Sequence, residues 1–179
     1  MNNKMIIGIS AASALCAIFV ALWYKDVIVF RFSSHSLSQS QVQSHYKKLC
    51  RITFSRRGQW AHESVELMLN ESRADTIARI ANAWLNLLDQ EGIIKKRVLI
   101  ESVLMSADQK YAYVSFDRNL FDKSLAAYQK LLLLEGLLKT WRENGVVLQG
   151  IYFQAHHQPL QDYHLDFSNA WPLLGFLQK

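Results

Sequence analysis

The chain has 179 residues, of which 50% are hydrophobic and 12% aromatic, and its formal net charge is +5. This length suits one folded domain with additional segments, and two cysteines, one of them inside an apolar N-terminal stretch, exclude a disulfide framework and a cysteine-based metal site. The charge surplus is small and no basic stripe with interleaved aromatic residues occurs, so we expect no nucleic-acid binding.

Residues 5–24 predict a transmembrane helix. The run from Met5 to Tyr24 contains no charged residue and is flanked by Lys4 and Lys25. About 20 apolar residues cross a bilayer core as a helix, and Trp23 stands with Tyr24 at the end of the run, where aromatic side chains favour the membrane interface. We therefore interpret residues 1–4 as a short tail and residues 5–24 as an uncleaved signal anchor.

Two other interpretations of this segment fit less well. A cleaved signal peptide has a shorter apolar core and a small-x-small cleavage site, whereas here the apolar run continues past Ala11–Ala14. A lipoprotein cysteine follows a small residue and has a leucine three positions before it, but Leu15 precedes Cys16 and Ser13 lies three before it. Positive charges are nearly balanced between the two flanks and do not decide the orientation.

Residues 25–45 predict a spacer. The short apolar run Val27–Phe32 precedes Ser33–His45, which contains six serines and three glutamines. Such a polar segment cannot bury enough apolar surface to fold alone, and as a coil it reaches on the order of 20 Å. We expect the folded domain to occupy residues 46–179.

The first half of this domain predicts a hairpin followed by an amphipathic helix. Leu49–Ser55 alternates apolar and polar residues, Arg56–Gln59 suits a turn, and Val65–Leu69 forms a second strand. Ser72–Asp75 has the S-x-x-D form that caps a helix, which Gly92 would end. The apolar stripe of this helix consists of Ile77, Ile80, Ala81, Trp84, Leu85 and Leu88.

The second half predicts a second hairpin, a second helix and a third hairpin. The strands Arg97–Leu104 and Tyr111–Phe116 are rich in β-branched and aromatic residues. Ser124–Asn144 is the most regular apolar segment of the domain, with residues spaced four and three apart. Val146–Ala155 and Tyr163–Phe167 follow as the last two strands, separated by a turn.

The second helix defines the expected fold class. We expect Asp122 or Ser124 to cap its start, and Gly145 to end it in the left-handed conformation. Apolar residues cover most of its circumference, so it must be buried. The sequence therefore predicts an α+β fold, with a mixed or antiparallel sheet and two helices packed on one face.

Basic residues are concentrated at the start of the folded domain: Lys47, Lys48, Arg51, Arg56 and Arg57. Together with Trp60 they form a candidate interaction surface for anionic headgroups, an acidic partner or cell-wall strands. A solvated face that aids solubility explains them equally well, as it does the shorter cluster Lys95–Arg97. The outer side of helix Ala74–Asp89 and a free sheet edge are the other places where we expect a functional surface.

No pattern of catalytic residues is present. The sequence contains no G-x-S-x-G, no H-E-x-x-H and no glycine-rich phosphate loop. His156, His157 and His164 suggest a metal site, but adjacent strand residues point to opposite faces and the first two lie at an expected turn. No carboxylate that would orient these ligands is evident beyond Asp162 and Asp166. We expect no enzyme activity, no metal and no cofactor, and we interpret Asp117 and Asp166 as acceptors of backbone hydrogen bonds at turns.

Three stretches resemble the GerMN domain, a sporulation and spore-germination module. They are Ala112–Asp117 running into Asn119–Phe121, the helix from Ala126 to Leu134, and Gln158–Leu160 followed by the H-L-D-F-S ending His164–Ser168. The similarity covers roughly residues 49–173, and Asp117, His164 and Asp166 fall within it as structural motif residues. One departure is Gln90–Lys95, which replaces a G-P-P-x-G-like loop that the family often has after its first helix.

The resemblance implies a domain similar to the ring-building modules of membrane assemblies, held outside the cytoplasmic membrane on a single-pass anchor. Family members are non-enzymatic and act in envelope or sporulation complexes, with cell-wall binding proposed for some. The leading hypothesis is a membrane-anchored extracytoplasmic scaffold that associates with itself or with envelope proteins. One alternative is a peptidoglycan-binding module that uses Trp60 or Trp171 and the basic residues. Another is an envelope hydrolase, which requires carboxylates or histidines to converge in a cleft.

Overall fold

The computed structural model describes residues 45–176. The helices are α1 (Arg73–Gln90) and α2 (Ala127–Glu143). The strands are β1 (Tyr46–Arg56), β2 (Gln59–Leu69), β3 (Ile100–Met105), β4 (Tyr111–Phe116), β5 (Gly150–Ala155), β6 (Gln158–Pro159) and β7 (Trp171–Pro172). Neither helix in this range is long and apolar enough to cross a membrane. The predicted anchor at 5–24 and the spacer up to residue 44 lie outside the described residues.

The hairpin of β1 and β2 is longer than the sequence pattern predicts. Arg57 and Gly58 form its turn, with φ angles of 53° and 78°, and this doubly left-handed turn matches the twist of antiparallel strands. On the face toward the helices, Cys50, Ile52 and Phe54 are buried. Burial thus follows the alternation that predicted the strand.

The remaining strands form a separate, mixed sheet in the order β3-β4-β5-β6, with β7 also paired to β5. β4 and β5 are parallel and the other pairs are antiparallel. The structure therefore confirms the α+β class with two helices. The expectation of a single sheet is wrong, because the first hairpin forms a two-stranded sheet of its own.

Helix α1 begins and ends where its sequence signals predict. Ser72 caps it by accepting a hydrogen bond from the N–H of Asp75 at 3.4 Å, and Gly92 follows it with φ 65°. The buried stripe contains Ile77, Ile80, Ala81, Trp84, Leu85 and Leu88, as expected, and also Leu87.

Helix α2 lies between the hairpin and the five-stranded sheet. On one side Gly136 approaches the backbone of Thr53, with 3.3 Å between the carbonyl oxygen and a Cβ built on the glycine. On the other side Trp141 stacks on Phe153 of β5 with ring centroids 6.2 Å apart. Cover from both sides explains why apolar residues surround this helix.

Two details of α2 differ from the prediction. It begins after Ala126, whose N–H donates to the side chain of Gln129 at 3.2 Å. Asp122 instead accepts hydrogen bonds from the N–H and hydroxyl of Ser124, both at 2.8 Å, so these two residues form a turn that precedes the helix. Its end is as expected, with Gly145 at φ 82°.

The strand predicted at Tyr163–Phe167 is wrong. The N–H groups of His164 and Leu165 donate to the carboxylate of Asp162 at 2.9 and 3.2 Å, which gives the backbone a local alternative to a sheet ladder. Alternation still places Leu165 and Phe167 in the core. The short strands β6 and β7 flank this segment.

Candidate functional site

The outer edge of β2 is open. β1 and β2 pair without interruption from Tyr46–Leu69 to Arg56–Gln59. The pair that closes a two-residue turn is hydrogen bonded, so alternate residues of β2 direct their N–H and C=O groups away from β1. We call these groups the β2 edge: Trp60, His62, Ser64, Glu66 and Met68. Within residues 45–176 no strand pairs with them.

The outer edge of β1, in contrast, is occupied by helix side chains. Thr140 Oγ1 accepts a hydrogen bond from Thr53 N–H at 2.9 Å, and Thr53 C=O accepts one from the indole of Trp84 at 2.9 Å. Asn144 takes the place of a neighbouring strand. It accepts from Arg51 N–H at 3.0 Å and donates to Arg51 C=O at 2.7 Å.

The β2 edge lacks the features that usually protect an edge strand. The strand is 11 residues long and contains no proline, and its register with β1 shows no bulge. Glu66 is the only carboxylate on this edge, and Lys47 pairs with it at 2.6 Å. A long, unprotected edge is a template for pairing with another chain.

A groove of about 480 Å³ runs beside β2, between this strand and α1. We call it the α1 groove. Its apolar residues are Val65, Leu67, Met68, Ala83 and Leu87, and its polar ones are Glu63, Arg79, Asn82, Asn86 and Gln90. An extended segment added to the β2 edge would direct alternate side chains into this groove.

The structure spreads the predicted basic surface along the whole of β1, with Arg51 at the middle of the strand. Arg56 and Arg57 lie at the turn, roughly 26 Å from Lys48 by strand geometry. Most of these side chains have partners: Lys47 with Glu66, Lys48 with the carbonyl of Asn144, Arg51 with Glu143, and Arg56 with Glu91. Arg57 has no ion-pair partner in the described part of the chain. The cluster is therefore not one continuous basic surface.

The two tryptophans expected to contact cell-wall strands are engaged within the protein. Lys139 Nζ lies 5.1 Å from the centre of the Trp60 ring, and Gly136 of α2 also approaches this ring. Trp171 packs against Phe167 and Phe176, with ring centroids 5.5 and 5.3 Å apart. Both indoles are half-buried.

Other aromatic side chains share the open face of the five-stranded sheet. Tyr113 and Tyr152 stack with centroids 4.8 Å apart and rings inclined by 7°, and Tyr111 lies 6.0 Å from Tyr152. All three are half-exposed, and Leu104 on the neighbouring strand is 63% exposed. We call these three tyrosines the tyrosine face. Periodicity marks these strands, but sequence alone does not show that the tyrosines meet across β4 and β5.

The predicted motif residues hold loops in place. Asp117 accepts a hydrogen bond from Leu99 N–H at 2.9 Å and pairs with Arg118 at 3.0 Å. Partial burial acts to raise the pKa of Asp117, but these bonds and the charges of Arg118 and His156 outweigh it and hold the pKa below its usual value. Asp166 accepts from Ser168, which lowers its pKa.

A buried ion pair joins α2 to the segment after β6. Lys130 is fully buried and lies 2.5 Å from the carboxylate of Asp162, with His164 Nδ1 at 3.2 Å from its ammonium. Burial acts to raise the pKa of Asp162, but the hydrogen bonds from Lys130, His164 and Leu165 outweigh it and hold the pKa below its usual value. The sequence pattern does not single out Lys130, which is one lysine in an apolar helix.

A second buried pair holds the end of the described chain. Glu135 is 2% exposed and lies 2.5 Å from Arg142. Arg142 donates to Leu173 C=O at 2.8 Å, and Phe176 N–H donates to Glu135 at 3.2 Å. Charges on α2 thus fix the C-terminal segment as well as pairing with each other.

One arrangement resembles a nucleophile with a base. Thr53 Oγ1 lies 2.9 Å from His62 Nδ1 and donates to Glu143. However, Thr53 is fully buried, so its hydroxyl is not accessible to a substrate. Cys50 is also fully buried, which raises its pKa. In the described residues no three histidine, cysteine, aspartate or glutamate side chains gather as metal ligands.

Two residues of the second predicted basic cluster line a cavity of about 500 Å³. Lys95 and Lys96 face Arg118 and Lys123 there. The carboxylate of Asp122 lies 3.2 Å from Lys95. Hydrogen bonds from Ser124, and then from Lys95, lower the pKa of Asp122 to about 2.

Comparisons with known proteins leave the function open. No family model matches the chain, and no curated protein matches it. Among solved structures, it is similar to a putative lipoprotein from Clostridium perfringens, at 15% identity and a TM-score of 0.40, over 72% of this chain and 88% of that one. Likeness at this level carries no functional assignment.

Proposed function

We propose that the protein is a membrane-anchored, extracytoplasmic, non-enzymatic interaction domain of the GerMN type that works in an envelope complex. The order of anchor, spacer and domain in the sequence supports this proposal, as does the resemblance in residues 49–173. The observation that carries the interaction role is the β2 edge, because no strand of the described chain pairs with its backbone groups. On the outer edge of β1, in contrast, the central residues Arg51 and Thr53 are bonded to side chains of or next to the helices.

The β2 edge suits a partner that adds one extended strand. Five outward residues offer five N–H and five C=O groups, about as many hydrogen bonds as a typical protein interface contains. Main-chain bonds give such a contact affinity, while side chains entering a neighbouring groove give it specificity. The α1 groove provides that second element.

A substitution at Ser64 tests this proposal. Ser64 N–H points away from β1, so Ser64→Pro blocks an added strand and leaves the β1–β2 ladder intact; Ser64→Ala is the matched control. With the full chain as bait in detergent-solubilised envelope membranes, we expect Ser64→Ala to retain its partners and Ser64→Pro to lose them. Circular dichroism must show that both variants are folded. Equal capture by two folded variants contradicts a role for the β2 edge.

The tyrosine face favours a second candidate function, peptidoglycan binding. The apolar face of a sugar ring stacks on flat aromatic side chains, and the phenol hydroxyl adds a hydrogen bond. If this face binds the wall, Tyr113→Ala with Tyr152→Ala will abolish co-sedimentation with purified peptidoglycan. Arg56→Ala with Arg57→Ala serves as the control for binding by charge alone. Sedimentation unaffected by loss of both tyrosines removes this candidate.

A further inference from the structure

We infer that the strand added to the β2 edge is β2 of a second copy, paired antiparallel about a twofold axis at Ser64. This inference rests on the proposed interaction role of the β2 edge.

With the twofold axis at Ser64, every residue of β2 lies opposite a residue of the partner's β2. Ser64 is the middle residue of the strand from Gln59 to Leu69, and its own N–H and C=O point outward. A twofold axis there opposes Ser64 to the partner's Ser64 and uses the whole strand. Five opposed pairs with two hydrogen bonds each give about ten intermolecular bonds, in a continuous four-stranded sheet.

The side chains that meet in this register are complementary. His62 opposes the partner's Glu66, and the same pair occurs again across the axis, so two histidine–carboxylate contacts form. Trp60 opposes the partner's Met68, and an indole and a thioether attract each other. Met68 is 46% exposed in one copy, and this contact would cover it.

Two other registers place like charges opposite each other. An axis at Glu63 or at Glu66 opposes two like carboxylates, which destabilises a strand pair. With the axis at Ser64, Glu63 opposes the partner's Val65, and Ala61 opposes the partner's Leu67. The two α1 grooves then adjoin along the new strand pair, so Val65 and Leu67 of both copies gain cover.

A disulfide across the axis tests the register. Opposed residues in a hydrogen-bonded antiparallel pair have Cα atoms about 5.5 Å apart, a distance that a disulfide spans. The experiment uses the full chain in detergent. Cys16→Ser removes one of the two native cysteines, and Cys50 can be kept because it is buried. We expect mild oxidation to convert Ser64→Cys to a covalent dimer and to leave Ser168→Cys, also at an exposed serine, monomeric. Equal dimer yields from the two variants overturn the inference.

Two further variants separate this inference from the proposed function. Ser64→Pro removes two central hydrogen bonds and sets a proline ring against the partner strand, so we expect self-association to weaken by at least about tenfold. Glu66→Lys opposes His62 with a cation and should also lower the yield of the Ser64→Cys dimer. If Ser64→Cys does not cross-link but Ser64→Pro still abolishes capture of an envelope protein, the second copy is the wrong partner and the proposed function stands. If folded Ser64→Pro changes neither self-association nor capture, both are wrong.

Discussion

Replacing Thr140 by valine tests whether a helix hydroxyl satisfies the edge of β1. Valine keeps the shape of threonine and removes the hydroxyl that accepts from Thr53 N–H at 2.9 Å. Thr53 C=O retains the bond from Trp84, and Gly136 C=O retains its bond within the helix. The loss is therefore concentrated in one N–H group at a fully buried residue.

The magnitude follows from that single group. A buried donor left without an acceptor costs about 1–3 kcal/mol. For a domain of this size we expect the free energy of unfolding to fall by that amount and Tm to fall by roughly 3–15 °C. Thr76→Val is the matched control, because Thr76 makes one longer bond, at 3.3 Å to Asn70 C=O, and its loss costs less.

Urea unfolding of both variants, followed by circular dichroism, measures these costs. Hydrogen exchange at Thr53 N–H adds a local readout, since this amide loses its acceptor only in Thr140→Val. If Thr140→Val is within about 0.5 kcal/mol of the parent protein, the size of an ordinary surface substitution, the edge of β1 is not held by this hydroxyl. The contrast between the two edges of the hairpin would then rest on Asn144 and Trp84 alone.

Two further predictions concern charges. Lys130→Met leaves Asp162 buried without its cation, so the free energy of unfolding in urea should fall by about 3–5 kcal/mol. Lys130→Met combined with Asp162→Leu should recover most of this loss. A Lys130→Met protein as stable as the parent contradicts the buried pair. The second concerns acid unfolding. The pKa of Asp122 is lowered to about 2 by hydrogen bonds from Ser124 and Lys95, so folding favours the deprotonated form. The stability that the Asp122 carboxylate contributes is fully present above the unfolded pKa of about 3.9 and is lost as the pH falls toward 2. Thermal unfolding of Asp122→Asn should therefore depend less on pH between about 4 and 2 than that of the parent, and equal dependence contradicts this.

Local signals predicted the parts of the fold whose causes are local. The turn at Arg57–Gly58, the cap at Ser72 and the end of α2 at Gly145 depend on neighbouring residues, and the structure has each of them. The wide apolar surface of α2 predicted burial. It did not predict two covering layers, because the same pattern serves a helix packed on one sheet or between two.

Predictions failed where a side chain far along the chain, or a local turn, decides the outcome. Tyr163–Phe167 alternates like a strand, but Asp162 takes its backbone N–H groups. Lys130 resembles an ordinary helix charge in the sequence, because the carboxylate that pairs with it, Asp162, lies 32 positions away.

The sequence predicts the kind of candidate site but not its position. A free sheet edge was among the expected places, but sequence does not show which edge stays unpaired. That depends on Asn144, whose amide reaches across 93 positions to the backbone of Arg51.

Amide hydrogen exchange of β2 tests most directly whether the protein associates through this edge. In the assembled full chain we predict slow exchange at His62 and Glu66, whose N–H groups point outward, and fast exchange at the same amides in the folded Ser64→Pro variant. Glu63 and Val65, which are bonded to β1, should be protected in both. Fast exchange at His62 and Glu66 in a protein that still assembles would contradict the account, because association would then use another surface.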